Sequence, residues 1–226
     1  LKLLKDSIEF LIILSQETHK MASITTESLY KLFARKIVTD GDRFTFLTRV
    51  REDPTFNSVV CGSGAFDDVV DILTCKPEHQ LIKPTEHHSL MFSYMLSHIA
   101  STHDRESNAA GFDKPIPTQI KAAIQTAASR NNAWIVANIL NAFCVTEKTF
   151  DQWFRIEDMH AHAELGHLQI VKLIFVGLGS GANLGEILHT FEQNGHVQEH
   201  AQFVNWIYPI KVISCRDYLD SLCRRY

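Results

Sequence analysis

The chain has 226 residues, 45% of them apolar and 21% charged, which is enough apolar surface to bury a core and argues against disorder. Its length suits one large domain or two modest ones. A formal net charge of -4 argues against an electrostatic nucleic-acid binder, which carries a basic excess or a basic stripe. Cys61, Cys75, Cys144, Cys215 and Cys223 form an odd set without a CxxC pair, so neither a disulfide framework nor a Cys-rich zinc site is indicated. A reducing, cytoplasmic setting is expected. The start at Leu1 reads as that of a piece cut from a longer protein, with no signal peptide visible in it. The apolar run Phe10 to Leu14 is too short to span a bilayer, and no membrane insertion is expected.

In chain order, Leu3, Leu4, Ile8, Leu11 and Leu14 recur at helical spacing and predict a helix over 3–19. Thr25 or Thr26 caps a second, with Leu29, Leu32, Phe33 and Ile37 on its buried side. The segment Thr39 to Asp42 breaks that pattern, and Phe44, Leu47 and Val50 predict a short third helix ending before Asp53–Pro54. Residues 1–55 are therefore expected to be an N-terminal helical cap or subdomain. From 56 to 226 a period emerges. Val69–Val70, Ile135–Val136 and Ile170–Val171 each precede a further apolar pair, at separations of 66 (twice 33) and then 35 residues. A unit of that length holds two short antiparallel helices and a turn, and it buries its apolar face only by stacking on neighbours.

Two segments carry a family resemblance. Met159 to Ile174 reads MHAHAELGHLQIVKLI, with Gly166 and His167 at a turn and Ile170–Val171 beyond it. Ile124 to Leu140 reads IQTAASRNNAWIVANIL, with small Ala127 and Ala128 ahead of Asn131. Both resemble the paired-helix core of an ankyrin repeat. The resemblance implies an all-α fold: a short ankyrin-like helix-pair solenoid preceded by the helical cap and closed by a C-terminal helical cap. It places Gly166 and Asn131 at tight turns, where the left-handed backbone favours Gly and tolerates Asn. It also makes His160, His167 and His196 structural, and puts the bulky His162 where a small Ala is usual. Leu188 to His196 matches the first helix and turn, with Gly195 at the turn, but Glu199 and His200 stand where Ile–Val is expected. Residues 91–106 complete the series by apolar periodicity alone, and Ser58 to Leu73 resembles a further unit turning at Gly64 or Ala65. Turns are predicted near 130–132, 165–167 and 194–196.

Three chemical readings compete with this one. Gly177, Gly179, Gly181 and Gly185 invite a phosphate loop, yet neither a P-loop ending nor GxGxxG spacing is present, and the ankyrin register accounts for 181–184 as an inter-unit loop. His160, His162 and His167, or His196 and His200 one turn apart, invite a metal, but no HExxH motif accompanies them. A Cys–His hydrolase would need a base beside Cys215 or Cys61, and no partner motif marks either. No catalytic residue, metal or cofactor is assigned.

The resemblance implies a protein-binding module or adaptor that uses a concave helical surface and turn tips. The degenerate repeats, with high His and Asn content, also resemble bacterial effectors acting in the cytoplasm of a eukaryotic host. The alternatives are a substrate-recruiting domain of a larger enzyme and a self-contained Cys/His enzyme. Trp134, just after a turn, is a candidate for an exposed anchor. Residues 151–200 hold seven acidic and two basic residues, so Glu157, Asp158 and Glu164 are candidates for a patch that meets a basic protein partner. His162→Ala is expected to stabilise the fold, provided His162 makes no essential hydrogen bond.

Overall fold

A computed structural model describes residues 41, 69, 70, 73, 86–110, 116–179, 183–208 and 214–224. Among them the regular structure is helical, without a strand: α1 (Glu86–Ala110), α2 (Thr118–Ser129), α3 (Ala133–Ala142), a 3-10 turn (Phe150–Gln152), α4 (Ile156–Glu164), α5 (Leu168–Leu178), α6 (Leu184–Gln193), α7 (Val197–Ile207) and α8 (Cys215–Cys223). The expected all-α class is observed over these residues. The helices expected through residue 55 and the turn at Gly64 or Ala65 lie outside them, except that Gly41, read as part of a break, is helical.

α2–α3, α4–α5 and α6–α7 are helix pairs joined by one kind of turn. Ile120, Ala123, Ile124, Ala127 and Ala128 fall at three- and four-residue spacing on α2, and all are buried. The helix stops because Asn131 adopts φ 56°. There its N–H donates to the Ala128 carbonyl at 2.9 Å, while the Asn132 N–H donates to the Ala127 carbonyl at 2.9 Å. This is a Schellman closure, which satisfies carbonyls the helix end leaves open. It recurs with Gly166 (φ 69°) and Gly195 (φ 76°) in the left-handed position. The equivalent long bonds run from His167 N to His162 O and from His196 N to Phe191 O, both 2.9 Å. The three turns stand where the sequence places them.

α4 packs on α5 and α6, α3 on α2 and α5, and α5 on α7, so the second helices contact in series and the first helices of the second and third pairs contact each other. The centre is α3, buried from Ala133 to Leu140 and contacted by α1, α2, α5 and α8. A helix apolar all round belongs in such a position. Its one buried side-chain amide, Asn138, donates to the Trp134 carbonyl at 2.8 Å and accepts from Ser93 Oγ of α1 at 3.3 Å. Between α3 and α4, Phe150 is completely buried and seats itself on Gly177 of α5, where an added Cβ would lie 2.2 Å from its ring. Gly177 is thus a packing seat inside a helix.

Two expectations about organisation change. Residues 91–106 belong to one continuous 25-residue helix, α1, so that stretch is no helix pair. The last helix, α8, does not extend the stack beyond α7; it lies against α3 and α5 through Cys215, Tyr218, Leu219 and Leu222.

Candidate functional site

The exposed side of the first helices carries the acidic candidates singled out from the sequence. Positions two turns apart share one face of a helix. On α4 these are Glu157, Ala161 and Glu164, all exposed; the corresponding positions are Glu186, Thr190 and Gln193 on α6, and Ala122, Thr126 and Ser129 on α2. These positions are neutral on the first pair and acidic on the second and third, whose first helices adjoin. Of the two basic residues in 151–200, Lys172 is buried with its ammonium 5.1 Å from the Trp206 ring centroid, and only Arg155 is exposed. The surface is therefore more one-sided in charge than the sequence count conveys.

The candidates from sequence divide. Glu157 and Glu164 lie on this exposed side. Asp158 sits within the first turn of α4, where Oδ2 accepts from the Arg155 N–H at 2.7 Å, so the carboxylate caps the helix as well as charging it. Trp134 is corrected outright: at 6% exposure it is buried against Phe92, with ring centroids 5.9 Å apart, and offers a partner almost no area. The cause is α1, which covers the start of α3 and carries no repeat signature. Ala127 and Ala128 are fully buried, as small residues at a close helix contact should be.

The histidines make a scaffold of turn and seam contacts. His196 donates from Nε2 to the Glu164 carbonyl at 2.9 Å, joining the third pair to the second across 32 residues. Its ring lies over Gly166, where a Cβ would meet Nδ1 at 2.7 Å, so glycine there is required by contact as well as by backbone geometry. Asn132 does the same for the first pair: Nδ2 donates to the Leu73 carbonyl at 3.2 Å while Oδ1 caps α3 by accepting from Ile135 N at 3.1 Å. His160 bonds Thr190 Oγ1 at 3.2 Å and lies 3.7 Å from Glu186, spanning the α4–α6 seam. His162 is 8% exposed, and its Nδ1 lies 3.2 Å from His167 Nδ1. Burial and the neighbouring His167 lower its pKa to about 4, against the partial pull of Asp158. The expected gain from His162→Ala was conditional on a missing hydrogen bond, and that bond is present.

Chemistry elsewhere is subdued. Burial raises the Cys215 thiol to about 11, assisted by Glu147, and burial with Asp220 raises Cys223 to about 11. Neither is a nucleophile poised for attack, since the thiolate is the reactive form. Among the described residues no group of three or more His, Cys, Asp or Glu is arranged to hold a metal ion. No helix among them is long and apolar enough to cross a membrane. Gly179, at φ 60°, ends α5, and Asn183 caps α6 by accepting from Gly185 N at 3.1 Å, so both flanks of the glycine-rich segment have structural tasks.

Sequence reasoning missed one contact that fixes α8. Glu147 Oε1 accepts from the Cys215 N–H at 2.8 Å, capping a helix 68 residues away, and this backbone bond holds its carboxyl below the ordinary value. A carboxylate in a turn gives no local sign of such a distant task. Comparison of the chain with protein-family models, with curated proteins and with solved structures finds no match.

Proposed function

We propose that this chain is a protein-binding module, an ankyrin-like stack of helix pairs whose row of first helices receives a basic protein partner. The observation that supports it most is the acidic row of Glu157, Glu164 and Glu186 on the same exposed face of adjoining first helices. Three identical Schellman turns in register support the repeat reading. The unactivated thiols of Cys215 and Cys223 work against a cysteine hydrolase centred on either. A role as an effector in a eukaryotic host cytoplasm belongs to the same reading and rests on the resemblance of the sequence.

Charge on an exposed face acts chiefly on encounter rate, and salt screens it within about 10 Å at 0.1 M ionic strength. The test begins with affinity isolation of a partner from a eukaryotic lysate. Association kinetics of the wild type and a Glu157→Lys, Glu164→Lys, Glu186→Lys variant then follow at several salt concentrations. The variant is expected to associate about tenfold more slowly at low salt, with a flattened salt dependence. An unchanged rate and salt dependence, with the fold intact, would reject the acidic row as the recognition surface.

A further inference from the structure

Two histidine side chains meet at the α4–α5 turn. His162 and His167 stack with ring centroids 5.4 Å apart at 29°, and their Nδ1 atoms are 3.2 Å apart. A hydrogen bond between two Nδ1 atoms needs one N–H and one lone pair. A single added proton on the more exposed His167 is tolerated, because His167 then donates and His162 accepts. A second proton leaves two donors face to face and two cations in a buried contact. No arrangement of the pair accommodates that state.

At His162 the surroundings offset it only in part. Asp158, one turn before His162 on α4, favours the cation, and His167 opposes it; these are the charges that reach His162. On α6, which packs against α4, Glu186 lies beside His160, His189 Nε2 is 2.8 Å from Gln193, and Glu192 is 3.3 Å from His200. Lys172 of α5 is turned to Trp206, and His196, at the N-cap of α7, is bonded to the Glu164 carbonyl. His160 and His200, in contrast, gain ion pairs when protonated, and the bond from His196 Nε2 survives protonation.

We propose that the His162–His167 pair is an acid-sensitive latch: a second proton breaks the pair, opens the α4–α5 turn and loosens the α6–α7 pair that hangs on it. The link is geometric. Gly166 between the two histidines is the platform for the His196 ring, and the adjacent Glu164 carbonyl receives the His196 bond. Opening the turn removes both. The sign follows from linkage: a histidine with a depressed folded value is protonated first in the unfolded chain. Its contribution is whole above the ordinary value near 6.5 and is lost as pH falls toward about 4. Because the charge of His167 acts on His162, the event involves both rings. The latch does not depend on which partner the protein binds.

The test uses the full chain with labelled histidine rings, followed by NMR from pH 7.5 to 3.5, together with amide exchange in 184–207 corrected for its intrinsic pH dependence. His162 is expected to titrate near 4 and to lose its signature together with amide protection in α6 and α7. His162→Phe, which places there the residue found at the matching position 191, is expected to hold that protection to lower pH. His167→Asn removes the opposing charge and is expected to raise the His162 midpoint. If His162→Phe does not fold, His162→Gln takes its place, keeping a neutral polar group beside His167. An ordinary histidine midpoint for His162, an unmoved midpoint in His167→Asn, or loss of α6–α7 protection at the same pH with and without His162 would each overturn the proposal.

Discussion

Shifting the α6–α7 pair back by 29 residues lays Gly195 on Gly166 and Phe203 on Ile174, yet the two pairs treat their apolar positions differently. Ala163, Ile170, Val171 and Leu173 are buried in the second pair, whereas Glu192 and Gln202 are exposed and Glu199 and His200 half-buried in the third. Glu192 and His200 even meet as an ion pair at 3.3 Å. The reason lies in what each second helix touches. α5 is flanked by α3, α7 and α8, while α7 packs mainly on α5 and α6. A unit whose outer face meets water replaces its apolar residues with polar ones, as terminal repeats do. The weak match of 188–207 to the apolar pattern thus goes with a second helix that has fewer helical neighbours than α5.

Exchanging the faces tests this directly. Ile170→Glu with Val171→His places a carboxylate and an imidazole in the interior of the second pair, without partners. Such burial is among the few substitutions expected to cost about 4 kcal/mol or more, enough to unfold a marginal domain. The reverse exchange, Glu199→Ile with His200→Val, changes half-buried positions and gives up the exposed pair with Glu192, and should alter stability by about 1 kcal/mol. Urea denaturation followed by circular dichroism reads both. Comparable losses from the two exchanges would end the distinction between an interior and a terminal pair.

The turns sharpen the comparison at a smaller scale. Gly166 and Gly195 share the left-handed backbone, where a Cβ costs roughly 1 kcal/mol. Only Gly166 is also overlain, by the His196 ring at 2.7 Å from the place of a Cβ, while nothing lies within 4 Å of one at Gly195. Gly166→Ala is therefore expected to cost about 2–3 kcal/mol and Gly195→Ala about 1 kcal/mol. The difference reports the contact between pairs, separated from the backbone term common to both. Equal losses in thermal unfolding would mean that the His196 ring shifts aside without cost.

These contrasts also show why some features could be read in advance. Asn131, Gly166 and Gly195 are legible because a left-handed residue at a helix end restricts the side chain at that one position. The Ile–Val pairs are legible because burial of a helix face repeats every three to four residues. The burial of Trp134 is not legible, because its cover, Phe92 on α1, comes from a long helix outside the repeat register. The place of α8 on α3 and α5, and its cap by Glu147, are long-range pairings that no window of sequence contains. The doubling of His162 with His167 was visible as bulk where Ala is usual, but their hydrogen bond depends on ring orientations that spacing does not set.

The smallest expected effect concerns a turn the repeat pattern does not mark. α3 ends by the same closure as the three inter-helix turns: the Cys144 N–H donates to Asn141 O and the Val145 N–H to Leu140 O, both at 3.0 Å. Here the left-handed residue is Cys144, at φ 51° and exposed, so its Cβ bears the backbone cost with little burial in return. Glycine would relieve roughly 1 kcal/mol of that strain, and the added freedom of the unfolded chain would take back part of it. Cys144→Gly is expected to stabilise by about 0.5 kcal/mol, a small but resolvable rise in urea midpoint with an unchanged slope. Cys144→Ala keeps the Cβ and removes only the thiol, so it should leave the midpoint where it is. A loss of stability in both variants would show that the sulfur contributes packing that its exposure conceals. A loss in the glycine variant alone would show that chain entropy outweighs backbone strain at this turn.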